Sequence, residues 1–378
     1  MRIAAIVIAW NSAEHLGALL ASLAAQDHPD LEVVVLDNAS EDASVEVVRA
    51  VAARAAASGA AARAGVGGAA LHAAASGAAA HPVRLIRSAR NRGFCGGVNA
   101  ALGFLDDRVE AVLLVNPDVV AAPDLVSRCA ARLVQDPRCG SVQPRVRRAV
   151  PDAEGRPLID TTGHELTTAR LYRNRGEGSV DHDAIAPGEV FGASGACVLH
   201  RRAMLEDIRW ADGQVLSEDL FAYFDDVEVD WRARRRGWSA WYEPAALATH
   251  ERGGAGPRRT PAVEALNHAN RLLVTLTCDR PALRSWPLLL VTTKLKSLEL
   301  LITVPSAFPR ALWRLVGGTP RALERRRELD ARALVSAGDV AQRWAVPFRW
   351  GPWVRTWWLR VRGRAPGVVG GGRTGRRS

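Results

Sequence analysis

The 378-residue chain lacks the features that would place it in several large classes. Its five cysteines, Cys95, Cys129, Cys139, Cys197 and Cys278, form no Cys-x-x-Cys pair and have no His-rich partner spacing. An odd, scattered set builds neither a disulfide framework nor a zinc site, and it suits a reducing cytoplasm. No run of ~20 apolar residues survives the interruptions at Lys294, Lys296 and Glu299, so a spanning helix is not expected. Met1 to Ile8 carry one Arg and lack a cleavage-site pattern, so export is not expected either. Neither the kinase phosphate loop nor the dinucleotide fingerprint is present, which argues against an NTPase or a dehydrogenase.

What is present is apolar content of 48% with 24% charged residues, enough for one large α/β domain and an appended region. Ser306 to Ser378 hold sixteen Arg against two Glu and two Asp, so this tail carries +12 of a net +10 and leaves −2 elsewhere. Apolar runs at Ile3 to Ile8, Leu31 to Leu36, Val83 to Ile86 and Ala111 to Val115 each precede a helical stretch: Ala13 to Ala25, Ser40 to about Ala55, Val98 to Leu105, and Asp124 to Gln135. Ser40 suits an N-cap and Pro123 a first helical turn. This alternation predicts a doubly wound parallel sheet that binds ligands beyond the carboxyl ends of its strands.

Residues 49–82 are nearly all Ala and Gly and read as an insertion. Pro151 to Pro187 is polar and turn-rich, and Val190 to His200 returns to strand character. After Pro261 the pattern is helical and amphipathic, and six of the twelve Trp (Trp313, Trp344, Trp350, Trp353, Trp357 and Trp358) lie among arginines. Trp with Arg suits an interfacial membrane contact; a packed helical subdomain with a solvated basic face is the equal alternative.

Four segments could carry chemistry. Asp37-Asn38-Ala39-Ser40 ends the second strand, where a carboxylate can accept from the imide N–H of uracil or thymine, although such residues often serve only as turns. Asn91 to Asn99, with Gly93, Gly96 and Gly97, offers a backbone that a ligand can approach closely before a helix. Asn116-Pro117-Asp118 closes the fourth strand; one carboxylate there binds Mg²⁺ or Mn²⁺ well when substrate phosphates supply further oxygens. Asp225-Asp226-Val227-Glu228 sits in apolar company that raises a carboxyl toward a useful base. His250 is a metal ligand or a loop histidine.

In this order, together with Trp10-Asn11-Ser12, Ser194-Gly195-Ala196, and Phe221 to Trp231-Arg232 with Gly237-Trp238, these segments resemble family 2 of the inverting glycosyltransferases, especially its bacterial rhamnosyltransferase-like branch. The likeness spans Ile3 to Glu251. It implies a GT-A type, Rossmann-like nucleotide-binding fold with a central mixed sheet over residues 1–260, nucleotide half about 1–140 and acceptor half about 141–260, followed by a helical region at 261–378. It further implies that Asn11, Asp37 and Asn99, with Asn38, Asn91, Gly96 and Asn116, face the nucleotide. Ser194, Gly195, Glu228 and Trp231 would face acceptor or donor sugar, Asp118 and His250 would hold Mg²⁺ or Mn²⁺, and Asp226, flanked by Asp225, would be the base. Asn116 replaces the first acid of the family's Asp-x-Asp, as in the rhamnosyltransferase-like members.

The resemblance also favours dTDP-rhamnose as donor, with a UDP-sugar next. The acceptor would be polyprenyl-linked in cell-envelope synthesis, and the enzyme cytoplasmic with peripheral contact at the inner membrane face; a soluble natural-product acceptor is the alternative. A sugar nucleotidyltransferase would carry a Gly-rich loop after the first strand, where Trp10-Asn11-Ser12-Ala13-Glu14 stands instead. The basic tail could bind nucleic acid nonspecifically, but it contains no reading module, and nucleic acid is not an expected partner.

Overall fold

The computed structural model describes residues 1–63, 81–182, 185–252 and 260–362. Half of the predicted insertion, 64–80, lies outside them, as does 363–378 of the tail. The first half alternates β1 (Ile3–Ala9), α1 (Ala13–Ala24), β2 (Leu31–Asp37), α2 (Ser44–Arg63), β3 (Val83–Arg87), α3 (Gly93–Leu102), β4 (Ala111–Val115), β5 (Val119–Ala121) and α4 (Leu125–Gln135). Strands β3-β2-β1-β4 are mutually parallel, with Ala9 opposite Asp37. Every residue of β1 and β4 is buried, as expected of strands covered on both faces.

The second half adds β6 (Cys139–Arg148), β7 (Ile159–Thr161), β8 (His164–Thr167), β9 (Tyr172–Asn174), β10 (Gly188–Val190), β11 (Cys197–Arg201), α5 (Arg202–Asp207), α6 (Asp225–Arg235) and β12 (Ser239–His250). The main sheet runs β10-β12-β6-β11-β4-β1-β2-β3. Strand β11 is antiparallel to both β4 and β6, while β12 runs parallel to β6, so the sheet is mixed and the four predicted parallel strands form one part of it. Side-chain layers cover both faces: α1 and α4 supply Leu16, Leu20, Leu125 and Leu133 to one, and α3 and α6 supply Val98, Val227 and Trp231 to the other.

The last third contains α7 (Pro261–Cys278), α8 (Trp286–Thr303), α9 (Ala307–Arg332), α10 (Ala337–Trp344), β13 (Ala345–Val346) and α11 (Trp350–Val361). Thr260 Oγ1 accepts from Val263 N and Pro261 takes the first helical position, a strong helix start. Leu273, Leu329 and Val340 join the same apolar cluster as Trp231, and β13 pairs with β8. The helical region therefore shares the core formed under α3 and α6. Among the described residues, no helix is long and apolar enough to cross a membrane.

Two predicted boundaries move. Ser40 is not an N-cap: α2 begins at Ser44, and Ser40 Oγ instead accepts from Asn11 N at 3.0 Å. Helix α3 begins at Gly93 rather than Val98, so the glycine segment is its first turns and not a loop. Close packing overrides glycine's weak helix propensity, because a Cβ on Gly97 would come within 2.9 Å of the Ile8 side chain.

Candidate active site

Parallel β1, β2 and β4 end on one edge of the sheet, and the nucleotide-side residues follow those ends. Asp37 is the last residue of β2 and is buried; its Oδ1 accepts from Ser40 N at 3.2 Å, while Oδ2 accepts no hydrogen bond among the described residues and lies 3.9 Å from Arg87 Nε. A buried carboxylate oxygen without a donor is costly unless a ligand supplies one. Asn11, with φ 49°, accepts from Glu41 N at 2.8 Å. Asn38 donates to Asn91 Oδ1 and Gly93 O, both at 3.0 Å, and accepts from Arg92 N at 2.9 Å, tying β2 to the start of α3.

Asn99 differs from its expected role as a nucleotide contact. Its amide donates to Leu216 O (2.8 Å) and Glu218 Oε1 (3.2 Å) and accepts from Val215 N and Leu216 N, so all its polar capacity holds the 215–218 segment. Gly96 faces the same segment, since a Cβ there would come within 2.9 Å of Arg92 Cβ and 3.4 Å of Glu218 Oε2. At Gly93, with φ +70°, a Cβ would fall on the backbone oxygen of Phe221. Asn116 donates its backbone N–H to Ala196 O at 2.9 Å, joining the end of β4 to the 194–196 turn.

Asp118 and His250 meet between β5 and the end of β12: His250 Nε2 is 3.1 Å from Asp118 Oδ1, and Nδ1 is 2.8 Å from Asp160 Oδ2. Arg252 also pairs with Asp160. Burial disfavours the His250 cation, but the two carboxylates outweigh it and raise its pKa. A carboxylate behind one ring nitrogen fixes a histidine so that the other can face a metal beside a second carboxylate. The donor set thus fits Mg²⁺ or Mn²⁺ with only two protein ligands, phosphate oxygens completing the shell. Among the described residues, no cluster of three or more His, Cys, Asp or Glu is arranged to hold a metal by itself.

Asp226 is the second residue of α6 and follows Phe221, Tyr223 and Phe224, all with φ between 64° and 69°, a strained approach of the kind found at functional sites. Its Oδ2 accepts from Gly195 N at 3.0 Å and lies 3.3 Å from His164 Nε2, while Oδ1 accepts from Val227 N at 2.8 Å. His164 Nδ1 is in turn 2.6 Å from Asp230 Oδ2, and Ala193 N donates to Asp230 Oδ1 at 3.0 Å. Burial opposes the His164 cation, yet Asp226 and Asp230 raise it to about 10. Burial would likewise raise Asp226, but protonated His164 and the two N–H donors hold it low. Burial and the Asp226 charge push the neighbouring Asp225 carboxyl up. Ser194 N donates to Gln143 Oε1 at 2.7 Å, fixing the turn that presents Gly195.

Glu228 and Trp231 are corrected: neither can face a sugar. Glu228 is buried, accepts from Ser217 Oγ at 2.5–2.6 Å and pairs with Arg232 at 3.3 Å. Trp231 is fully buried, packs edge-on to Phe191 and donates to Tyr172 Oη at 2.9 Å. Sequence reasoning misses Asp160, His164 and Asp230. Asp230 is readable, because Asp226 and Asp230 are spaced i,i+4 and share a helix face. Asp160 and His164 lie in the stretch that reads as polar and turn-rich, and only the pairing of β7 with β6 and of β8 with β9 and β13 brings them in.

Residues 1–269 match the family model described as glycosyltransferase like family 2. An N-acetylglucosaminyl-diphospho-decaprenol L-rhamnosyltransferase of Mycobacterium tuberculosis is 24% identical over 281 residues, covering 70% of this chain and 80% of the relative. A low-salt glycan biosynthesis hexosyltransferase of Haloferax volcanii is 27% identical over 161 residues, 40% of this chain and 47% of that one. Among solved structures, GalNAc-T7 with UDP, GalNAc and Mn²⁺ superimposes with TM-score 0.57 at 10% identity; the match covers 90% of this chain but only 56% of that one. Residues 1–349 of Staphylococcus aureus TarS with UDP-GlcNAc give TM-score 0.50 at 16% identity, covering 91% and 92%. These neighbours share the GT-A architecture.

Proposed function

Because the chain belongs to glycosyltransferase family 2 and is a glycosyltransferase of its rhamnosyltransferase-like branch, we propose that it moves rhamnose from dTDP-rhamnose, or a hexose from a UDP-sugar, onto a polyprenyl-diphospho-sugar acceptor with inversion. The supporting observation is that one turn, 194–196, binds both working acids' elements: Ala196 O takes the Asn116 N–H beside Asp118, and the Gly195 N–H holds Asp226. Asp37 accepts the imide N–H of thymine or uracil through its otherwise undonated Oδ2. Asp118 and His250 would hold Mg²⁺ or Mn²⁺, which supplies neutralisation of the charge that gathers on the departing diphosphate.

Asp226 removes the acceptor hydroxyl's proton as that oxygen attacks the anomeric carbon opposite the leaving group. His164, cationic between Asp226 and Asp230, keeps Asp226 ionised at neutral pH and fixes its direction. Asp225, raised by burial and its neighbour, stays protonated longer and limits repulsion at the head of α6.

A lipid-linked acceptor also accounts for the outer faces of α8 and α11, and places the enzyme peripherally on the inner face of the cell membrane. Leu290, Leu301, Ile302, Trp350 and Trp358 are exposed there, and the one acid in these helices, Glu299, is buried against Lys296 and Arg360. Exposed Trp with cations and without competing acids suits an anionic lipid surface. The test is a donor screen with purified protein, with and without Mn²⁺ or Mg²⁺, reading released nucleoside diphosphate. Release from dTDP-rhamnose that requires polyprenyl-diphospho-GlcNAc and metal supports the proposal; release from no nucleotide sugar overturns it.

A further inference from the structure

Between α7 and α9 lies an apolar groove of ≈ 590 Å³ walled by Phe221, Ala262, Leu266 and Trp313, with Arg310 and Arg314 as its charged lining among the described residues. Trp313 is 82% exposed, an unusual placement for the largest apolar side chain and one that a ligand would cover. The groove is built into the approach to the catalytic helix. Arg314 Nε donates to Asn270 Oδ1 at 3.1 Å, and Asn270 Nδ2 donates to Leu220 O, Ala222 O and Tyr223 O at 2.8, 2.9 and 2.9 Å. That clamped segment leads directly into Asp225 and Asp226. Phe221 stands five residues before Asp226, so the groove wall lies within about 17 Å of the base even if the connecting chain were fully extended.

We infer that this groove seats the isoprenoid chain of a polyprenyl diphosphate, with Arg310 on the diphosphate and the attached sugar directed toward Asp226. The inference rests on the reading that the acceptor is polyprenyl-linked. The chemistry selects this occupant over others. The wall offers a free sugar or nucleotide an exposed Trp to stack on but few partners for its hydroxyls, whereas a hydrocarbon chain is covered along its length. Arg310 makes no ion pair or hydrogen bond among the described residues, which leaves its guanidinium for the two-oxygen pairing that phosphates favour. An apolar tail joined to a diphosphate is the ligand that satisfies both halves of the lining.

The experiment titrates full-length protein with geranylgeranyl diphosphate, geranylgeraniol and inorganic diphosphate by calorimetry, below the lipids' aggregation threshold, for wild type and the exposed-site variants Trp313→Ala, Ala262→Glu and Arg310→Ala. Saturable geranylgeranyl diphosphate binding that weakens by about tenfold or more in Trp313→Ala and Ala262→Glu is the expected result. Arg310→Ala should weaken the diphosphate and spare the alcohol. Unchanged affinity in both groove variants overturns the inference, as does competition by inorganic diphosphate as strong as that of the lipid. Loss of flotation with anionic vesicles while geranylgeranyl diphosphate affinity stays intact also overturns it, since the groove would then be a bilayer contact. Sugar transfer onto a polyprenyl-diphospho-sugar by wild type is read separately. Its absence alongside groove-dependent lipid binding defeats the function and leaves the groove standing, whereas normal transfer with unaltered variant binding defeats the groove alone.

Discussion

Asp226→Asn tests the proposed base with the smallest change in shape. The native carboxylate accepts three donations: Gly195 N–H and His164 Nε2–H on Oδ2, and Val227 N–H on Oδ1. An amide supplies one acceptor oxygen, so one side of the substituted group must set N–H against N–H, a conflict of about 1–3 kcal/mol. The larger effect is chemical. An amide cannot take the acceptor's proton, and losing a positioned base costs about 10²–10⁴-fold in turnover, or about 3–5 kcal/mol of transition-state stabilisation. The nucleotide edge around Asp37 and Asn38 is separately bonded, so donor affinity should stay within about threefold of wild type. The assay is nucleoside diphosphate release at saturating donor and acceptor, paired with calorimetric donor binding. A turnover within tenfold of wild type would refute the assignment, and a deeper loss in Asp225→Asn than in Asp226→Asn would move the base to Asp225.

Replacing His164 with Gln removes the cation that holds Asp226 low, so the acid limb of the kcat/KM profile should move to higher pH; an unmoved limb would show that His164 does not tune the base. His164 also links stability to pH. It titrates at about 10 when folded against a reference of 6.5, so its contribution is complete below pH 6.5 and is lost as pH climbs through 10. Thermal melts of wild type should therefore fall from pH 7 to 10 more steeply than those of His164→Gln. In Gly192→Ala the new Cβ would fall on the buried Asp230 carboxylate, breaking its bonds to His164 and Ala193. Loss of ~3 kcal/mol or more in denaturant unfolding is expected, and native stability would contradict the packing. Asp118→Ala and His250→Ala should raise the Mn²⁺ concentration needed for half-maximal activity beyond any reachable level, whereas Asp160→Asn, acting through His250, should raise it about 10–100-fold. Equal metal dependence in all three would separate these residues from the metal.

The apolar runs at Ile3, Leu31 and Ala111 were legible as buried strands, because a strand covered on both faces needs uninterrupted apolar side chains whatever surrounds it. The positions of Asp37 and Asn116-Pro117-Asp118 at strand ends and of Asp225-Asp226 at a helix start were legible as well, since those are local events. Direction and partnership were not. That β11 runs against β4 follows from where the chain returns, which no local pattern encodes. The phase of α6 was equally hidden: starting the helix at Asp225, after left-handed Phe224, turns Glu228 and Trp231 into the core and Asp226 outward. The tail's arginines read equally as an interfacial contact or a solvated basic face, and neither reading foresaw that Arg325 is buried beside Asp212 and Gln214 or that Arg332 donates to the carbonyls of Asp207 and Arg209.

By itself, the sequence placed acids and amides at strand ends and at a helix start, because these positions depend on residue type and short-range order. Tertiary structure alone decided that His164, 62 residues upstream of Asp226, would stand between it and Asp230, and that Asp160 would set the ring of His250. Such pairings arise only when distant strands settle into one register, and burial then strengthens each charge interaction far beyond what the same groups would have in water.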